Sequence, residues 1–256
     1  MVCPLVRVTT LVENTVHRRG LLGEHGLAFW IDTERRNVLF DTGQGLALQH
    51  NAQHLGLHMD SVEAVVLSHG HNDHTGGLST VIQLAPQAIV YAHPAAFERK
   101  YVRRDDGTTR DIGVPDPQSL DALRRAAAWI HAVKPLDVGG GMFVTGPIPR
   151  PTRFEDTGGH FFLDGDCRTP DPLSDDQALF FASSQGTVVL LGCAHAGVIN
   201  TLQYVRKLTR GSPIHAVMGG MHLKDVPLER IERTLEAFRQ LEIERLGPAH
   251  CTGAGA

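Results

Sequence analysis

The sequence predicts an α/β fold in layers, with sheet packed on sheet and helices outside, and three observations carry that prediction. Short apolar runs of strand length recur in both halves of the chain. Stretches with apolar residues at helical spacing lie between them. The chain has 256 residues, of which 42% are hydrophobic and 20% charged. That suffices for a sizeable core and excludes a disordered or fibrous protein.

Residues 5–12, 27–32 and 37–41 read as antiparallel strands divided by turn signals, a β-meander. After Asp41-Thr42-Gly43, residues 45–57 show helical spacing, and residues 63–67 (EAVVL) form a continuous apolar strand. That strand runs into a histidine-rich loop. Residues 78–84 then read as a helix and residues 88–91 as a strand. Residues 120–130 read as a helix with Asp121, Arg124 and Arg125 on its wet face. The second half repeats the arrangement. Strands are expected at 142–145, 178–182, 188–191, 214–218 and 243–246, and helices at 198–208 and 228–241. Two segments, about 97–117 and 147–176, are rich in Arg, Asp, Gly and Pro and fit neither pattern. Long irregular segments in a compact domain usually serve function, so these two are expected to cover or wall a site within a single domain spanning 1–256.

Twenty-four basic against twenty-eight acidic side chains give a formal charge of -4, without the basic excess that phosphate-backbone binding requires. A nucleic-acid partner is therefore not expected. No run approaches the roughly eighteen apolar residues of a membrane helix, so no membrane partner is expected either. The opening MVCPLVRVTTLVE has neither a basic n-region nor a small-residue cleavage site, which points to the cytoplasm. Cys3, Cys167, Cys193 and Cys251 are widely spaced and form no CxxC, so they are read as reduced thiols.

The fifteen histidines carry the functional signal. Ser68 to Gly77 reads SHGHNDHTGG, an H-x-H-x-D-H loop directly after a buried strand. In an extended chain His69 and His71 point the same way and can grip one ion, while Asp73 and His74, displaced by the turn, can face a second. Imidazole and carboxylate suit Zn²⁺, Mn²⁺ or Fe²⁺ rather than Ca²⁺ or Cu⁺. Four donors cannot complete two ions. Further histidines lie just past three later strands, His195 in GCAH, His222 in GGMH and His250 in AHC, at the strand ends where open α/β sheets hold ligands.

These motifs resemble the metallo-β-lactamase superfamily over nearly the whole chain. Within it, TGPIPR (145–150), DDQAL (175–179), GCAHAGVINT (192–201), GGMHL (219–223) and AHCTG (249–253) are similar to the branch named for 7,8-dihydropterin-6-methyl-4-(β-D-ribofuranosyl)aminobenzene-5'-phosphate synthase. The resemblance implies a four-layer αββα sandwich with a dinuclear metal site at the sheet edge. It places His69, His71 and His195 on one ion and Asp73, His74 and His250 on the other. It also implies that Asp41 orients a ligand imidazole. Zn²⁺ is the foremost metal, with Mn²⁺, Fe²⁺ or Mg²⁺ as alternatives. The superfamily's usual bridging Asp is replaced here: Gly192 is followed by Cys193. Cys193 is expected to pack as a small hydrophobe, with thiolate ligation as the alternative. Asp176 is a reserve carboxylate.

Two divalent ions bring four positive charges and the protein ligands return one, from Asp73. Water in that field ionises near neutrality, its pKa falling from about 15.7 to roughly 7, and Asp73 is placed to take its proton. The expected activity is a metal-dependent hydrolase acting on a small anionic molecule, phosphorylated compounds among them. A transferase joining a dihydropterin diphosphate to a ribosyl-aminobenzene phosphate, and a non-catalytic metal-bound binding protein, remain alternatives. Arg103, Arg104, Arg110, Arg150 and Arg153 are candidate anion binders, set against a solvated surface paired with Asp105, Asp106 and Asp111. Arg150, in TGPIPR, is singled out for substrate binding. His222 is the candidate acid for a leaving group. Phe97, Tyr101, Phe154, Phe161 and Phe162 lie in the two covering segments. Nothing in the sequence indicates an oligomeric state.

Overall fold

A computed structural model describes residues 5–104, 106–115 and 129–256. The first sheet contains β1 (Arg7–Val12), β2 (Ala28–Asp32), β3 (Asn37–Phe40), β4 (Val62–Val66), β5 (Ile89–Ala92) and β8 (Trp129–His131), side by side in that order. Its first three strands are antiparallel and the rest run parallel to β3. A small sheet joins β6 (Tyr101–Arg103), β7 (Thr109–Asp111) and β11 (Phe161–Phe162). The second large sheet contains β9 (Leu136–Gly139), β10 (Met142–Val144), β12 (Leu179–Ser183), β13 (Gly186–Leu191), β14 (Ile214–Gly219) and β15 (Arg245–Pro248). Its order is β15-β14-β13-β12-β10-β9, with β13, β14 and β15 parallel.

Period-two alternation explains the layering. Phe29, Ile31, Val38 and Phe40 of the first sheet face Leu179, Phe181, Val188 and Leu190 of the second in one buried cluster. The intervening Ala28, Trp30, Leu39, Val65 and Val90 face outward, against Leu48 and Ala52 of α1 (Leu48–His54) and Leu78 and Val81 of α3 (Leu78–Leu84). Phe180, Val189, Leu191 and Val217 likewise pack on α4 (Val198–Leu208) and α5 (Leu228–Gln240). A further single turn, α2 (Asn72–Thr75), follows β4. The four-layer αββα arrangement is thus observed. Each sheet buries both faces, and large side chains such as Phe29 and Phe40 contribute roughly 1.5–3 kcal/mol apiece.

Several elements differ from expectation. Of the helix expected at 120–130, residues 120–128, with Asp121, Arg124 and Arg125, lie outside the described residues, as do Cys3 and Asp105. Trp129 and Ile130 are strand residues, paired in parallel with Val90 and Tyr91. The last strand starts two residues later than expected, because Ile243 N–H donates to Phe238 O and closes the end of α5. The covering segments contain β6, β7 and β11, which are too short to show a strand period. Among the described residues no helix is long and apolar enough to cross a membrane.

Candidate metal centre

The parallel strands deliver the chemistry at their C-terminal ends. Asp41 follows β3, the His69–His74 loop follows β4, and Cys193, His222 and His250 follow β13, β14 and β15. Asp41, Ala194, His222 and His250 all adopt left-handed backbone (φ 61°, 56°, 49° and 53°), a conformation that costs L-residues about 1–3 kcal/mol and clusters at functional sites. Gly192 permits the two sheets' ends to meet. A Cβ there would run into Ser68 Oγ, with Asp41 Oδ2 3.1 Å away.

Asp41 is fully buried and saturated. It accepts from Ser68 N–H (2.7 Å), Ser68 Oγ (2.6 Å) and His74 Nδ1 (2.7 Å). Similar restraints hold other imidazoles. His195 Nδ1 lies 2.7 Å from the Thr157 carbonyl, and His250 Nδ1 lies 2.9 Å from Asn14 Oδ1. Assigning ring protons from these partners puts one on Nδ1 of all three and leaves Nε2 as the atom able to ligate. The three Nε2 atoms point inward. His74 Nε2 is 3.3 Å from His250 Nε2 and 3.1 Å from Cys193 Sγ. His195 Nε2 has no hydrogen-bond partner and gathers with His69 and His71, whose Nε2 and Nδ1 are 3.0 Å apart.

Two donor groups emerge, His69/His71/His195 and a second around Asp73, His74 and His250. Asp73 Oδ2 is 3.3 Å from His250 Nε2, 3.9 Å from His74 Nε2 and 3.2 Å from His25 Nε2. Cys193 Sγ sits between them, sharing potential ligand sets with His69 and His74, with His195 and His222, and with His250 and Cys251. Lone pairs 3.0–3.3 Å apart repel unless a proton or cation lies among them, so this donor set fits divalent cations. Burial, reinforced by neighbouring imidazoles, holds His69 and His195 well below the ordinary histidine range. Burial takes His71 down to about 3. These three are neutral and ready to ligate. Burial opposes charge on His74 too, but the carboxylates of Asp41 and Asp73 outweigh it and raise that imidazole to about 9. Burial likewise disfavours the Asp73 anion, yet His74, His25 and His250 hold its carboxyl well below the usual range. At neutral pH His74 therefore carries a proton on Nε2 unless a cation takes its place beside Asp73.

A family model described as the metallo-beta-lactamase superfamily matches residues 22–250. The chain belongs to that superfamily. A Methanocaldococcus jannaschii protein named 7,8-dihydropterin-6-methyl-4-(beta-D-ribofuranosyl)-aminobenzene-5'-phosphate synthase is 27% identical, over 97% of this chain and 88% of its own length. The uncharacterised protein MJ0448 of the same organism is 32% identical, over 96% of this chain and 90% of its own. The solved structure of Tm1679, described as a metal-dependent hydrolase of the beta-lactamase superfamily, superposes with a TM-score of 0.82 at 29% identity, covering 98% of this chain and 90% of that one.

In this metallo-beta-lactamase-superfamily chain, His69, His71, Asp73, His74, His195 and His250 are brought together. Asp41 stands behind His74. Cys193 is buried, as expected of a packing residue, but its sulfur faces the donors. Asp176 accepts from Ala196 N–H (2.8 Å) through Oδ2, leaves Oδ1 unpartnered, and joins none of the donor groups found among the described residues. Burial, with the Asp175 charge adding, raises it to about 7. His222 lies beside His195, ring centroids 4.6 Å apart, with Nε2 2.8 Å from Gly158 O and Nδ1 unpartnered.

A cavity of about 350 Å³ opens over the centre, lined by His71, His195, His222, Phe161 and Arg110 among others. Arg150 is not in its lining; its Nη2 donates to Leu173 O (2.8 Å). Of the five candidate arginines only Arg110 lines the cavity, and of the five aromatics only Phe161. Asn14, His25 and Cys251 also reach the site and were not singled out from the sequence. The sequence shows Cys251 only as a lone thiol within AHCTG, with no sign that it reaches the site. Asn14 and His25 sit in the loop between β1 and β2 with no motif around them.

A buried triad supports the loop from below. Lys100 Nζ lies 2.8 Å from Asp171 Oδ2 and 3.2 Å from Asp175 Oδ1, and Asp175 Oδ2 accepts from Gly70 N–H (2.8 Å), between His69 and His71. Gly70 is required there, since a Cβ would strike the Ala96 carbonyl and Lys100 Cε.

Proposed function

We propose that the chain is a metal-dependent hydrolase that acts on a small organic anion at a two-cation centre. The supporting observation is the convergence of three buried Nε2 atoms, each turned inward by an oxygen acceptor on the far side of its ring. His69, His71 and His195 would hold one cation and Asp73, His74 and His250 the other, with Cys193 Sγ between them and Zn²⁺ the foremost candidate. Such cations supply Lewis acidity and bring the pKa of a bound water toward neutrality.

The protein's own groups set the rest. Asp41 fixes the His74 tautomer directly and acts on His69 through Ser68, whose Oγ is 2.9 Å from His69 Nδ1. Asp73, held ionised, suits ligation better than proton acceptance, because a carboxylate of low pKa is a weak base. Burial disfavours charge on His222, but the Cys251 thiolate and the Gly158 carbonyl outweigh it and hold that imidazole above the ordinary histidine range. That favours its role as proton donor to a departing group, through Nδ1.

One observation favours a second reading: the 27% identical relative is named as a synthase. Transfer to a ribosyl-aminobenzene phosphate would use the same centre to bind a diphosphate. Turnover in ¹⁸O-labelled water separates the two, since hydrolysis places label in the product and carbon–nitrogen or carbon–carbon bond formation does not. His222→Ala tests the proton-donor role. It should retain metal and lose turnover, whereas His250→Ala should lose metal; full turnover in His222→Ala removes His222 from the chemistry.

A further inference from the structure

The small sheet β11-β6-β7 stands over the centre, and its register sets which side chains face it. Phe161 pairs with Val102, and Val102 pairs with Arg110. Residues directly opposite across antiparallel strands project from the same face, so these three form one row. All three line the cavity over the candidate centre. Their neighbours Tyr101, Arg103 and Phe162 project from the other face, where the Arg103 guanidinium lies 5.2 Å from the Phe162 ring. The row is graded. Phe161 stands against the donor histidines, its ring centroid 4.9 Å from His71 and 5.1 Å from His195. Val102 comes next, and Arg110 is farthest out. Lys224, after β14, enters the same cavity. Among the described residues neither Arg110 nor Lys224 has a carboxylate at ion-pair distance.

We propose that this row is a substrate wall that selects an elongated anion. A head group sits at the metal donors, a flat apolar body lies along Phe161 and Val102, and a second anionic group meets Arg110, with Lys224 assisting. Two strand spacings of about 4.8 Å separate Phe161 from Arg110, which sets the two ends of the ligand roughly 8–12 Å apart. Aryl carboxylates and aryl phosphates bearing a second reactive group have this form; short aliphatic anions do not. The place of the head group rests on the two-cation reading above, whereas the wall itself does not.

Calorimetry with two probes tests the wall: phenylphosphonate, and the same compound with a para 2-carboxyethyl group. In the wild-type chain the distal carboxylate should tighten binding about five- to tenfold, as expected of one exposed charge-assisted hydrogen bond. Arg110→Ala should abolish that gain and leave phenylphosphonate binding unchanged. Arg110→Lys should keep part of the gain, and Arg103→Ala, on the opposite face, all of it. An equal gain in Arg110→Ala, or none in the wild type, overturns the proposal. A second titration separates the wall from the metal reading. Naphthalene-2-sulfonate, followed by fluorescence on chelator-treated protein, should bind at least fivefold more weakly to Arg110→Ala and to Phe161→Ala. Unchanged binding in both variants overturns the wall whether or not cations occupy the centre.

Discussion

Asp41→Asn changes the centre without touching a ligand. Asp41 accepts three hydrogen bonds and donates none. With the amide oxygen kept toward Ser68 N–H, the new NH₂ replaces Oδ2 and faces Ser68 Oγ and His74 Nδ1, two groups that had been donating to it. His74 can then bond only as the Nε2–H tautomer, which places a proton on the atom 3.1 Å from Cys193 Sγ and 3.3 Å from His250 Nε2. Two charge-assisted bonds are lost at about 1.5–3 kcal/mol each, and the tautomer switch restores part of that in weaker neutral bonds. The lone pair at Nε2 is not restored. Loss of such an orienting carboxylate typically weakens metal affinity by about 10- to 100-fold. The assay is competition with a chromophoric chelator, read separately for the first and second equivalents of Zn²⁺. The second equivalent should weaken in that range, and the first, on His69, His71 and His195, by less, because Asp41 reaches it only through Ser68 and His69. Two equivalents bound at wild-type affinity in Asp41→Asn would refute the tautomer argument.

Two further outcomes follow from buried charge. Lys100→Met leaves the carboxylates of Asp171 and Asp175 buried without their cation, and urea denaturation should show a loss of about 3–5 kcal/mol, against less than 1 kcal/mol if the triad is incidental. Asp176 is an acid whose folded pKa is raised to about 7 from 3.8, so the native state keeps a proton that the unfolded chain releases. Stability of the metal-free protein should therefore fall as pH rises from about 4 to about 7, by up to about 1.4 kcal/mol per unit from this group, and level off above. Asp176→Asn should flatten that slope when urea midpoints are compared at pH 5 and pH 8; an unchanged slope would show that Asp176 is already ionised in the fold.

The layers were readable because unbroken apolar runs such as AFWI and AVVL, interleaved with helical spacing, mark strands buried on both faces; Phe29 and Ile31 face the other sheet and Ala28 and Trp30 the helices. The H-x-H-x-D-H loop was readable because four donors fall within six residues. The expected late histidines, His195 and His250, arrive beside it because parallel strands end at one edge. What failed to show depends on register and on long-range contacts. Choosing Arg110 over Arg150 requires knowing that Val102 pairs with Arg110, and β6, β7 and β11 are only three, three and two residues long. The Lys100–Asp171 pair joins residues 71 positions apart. Asn14 reaches His250 across 236 positions, and neither residue type announces such a partner. Cys193 reads equally well as core filler or donor until its sulfur is placed beside His74 Nε2.

The most direct measurement is elemental analysis of protein purified without chelator, paired with melting curves before and after metal removal. Two transition-metal equivalents per chain are expected. Stripping should lower the melting temperature and re-addition should restore it, since a cation at 100 times its Kd adds about 2.7 kcal/mol to the folded state. Protein that carries no transition metal, and whose melting temperature ignores added Zn²⁺, Mn²⁺ and Fe²⁺, would contradict the two-cation centre.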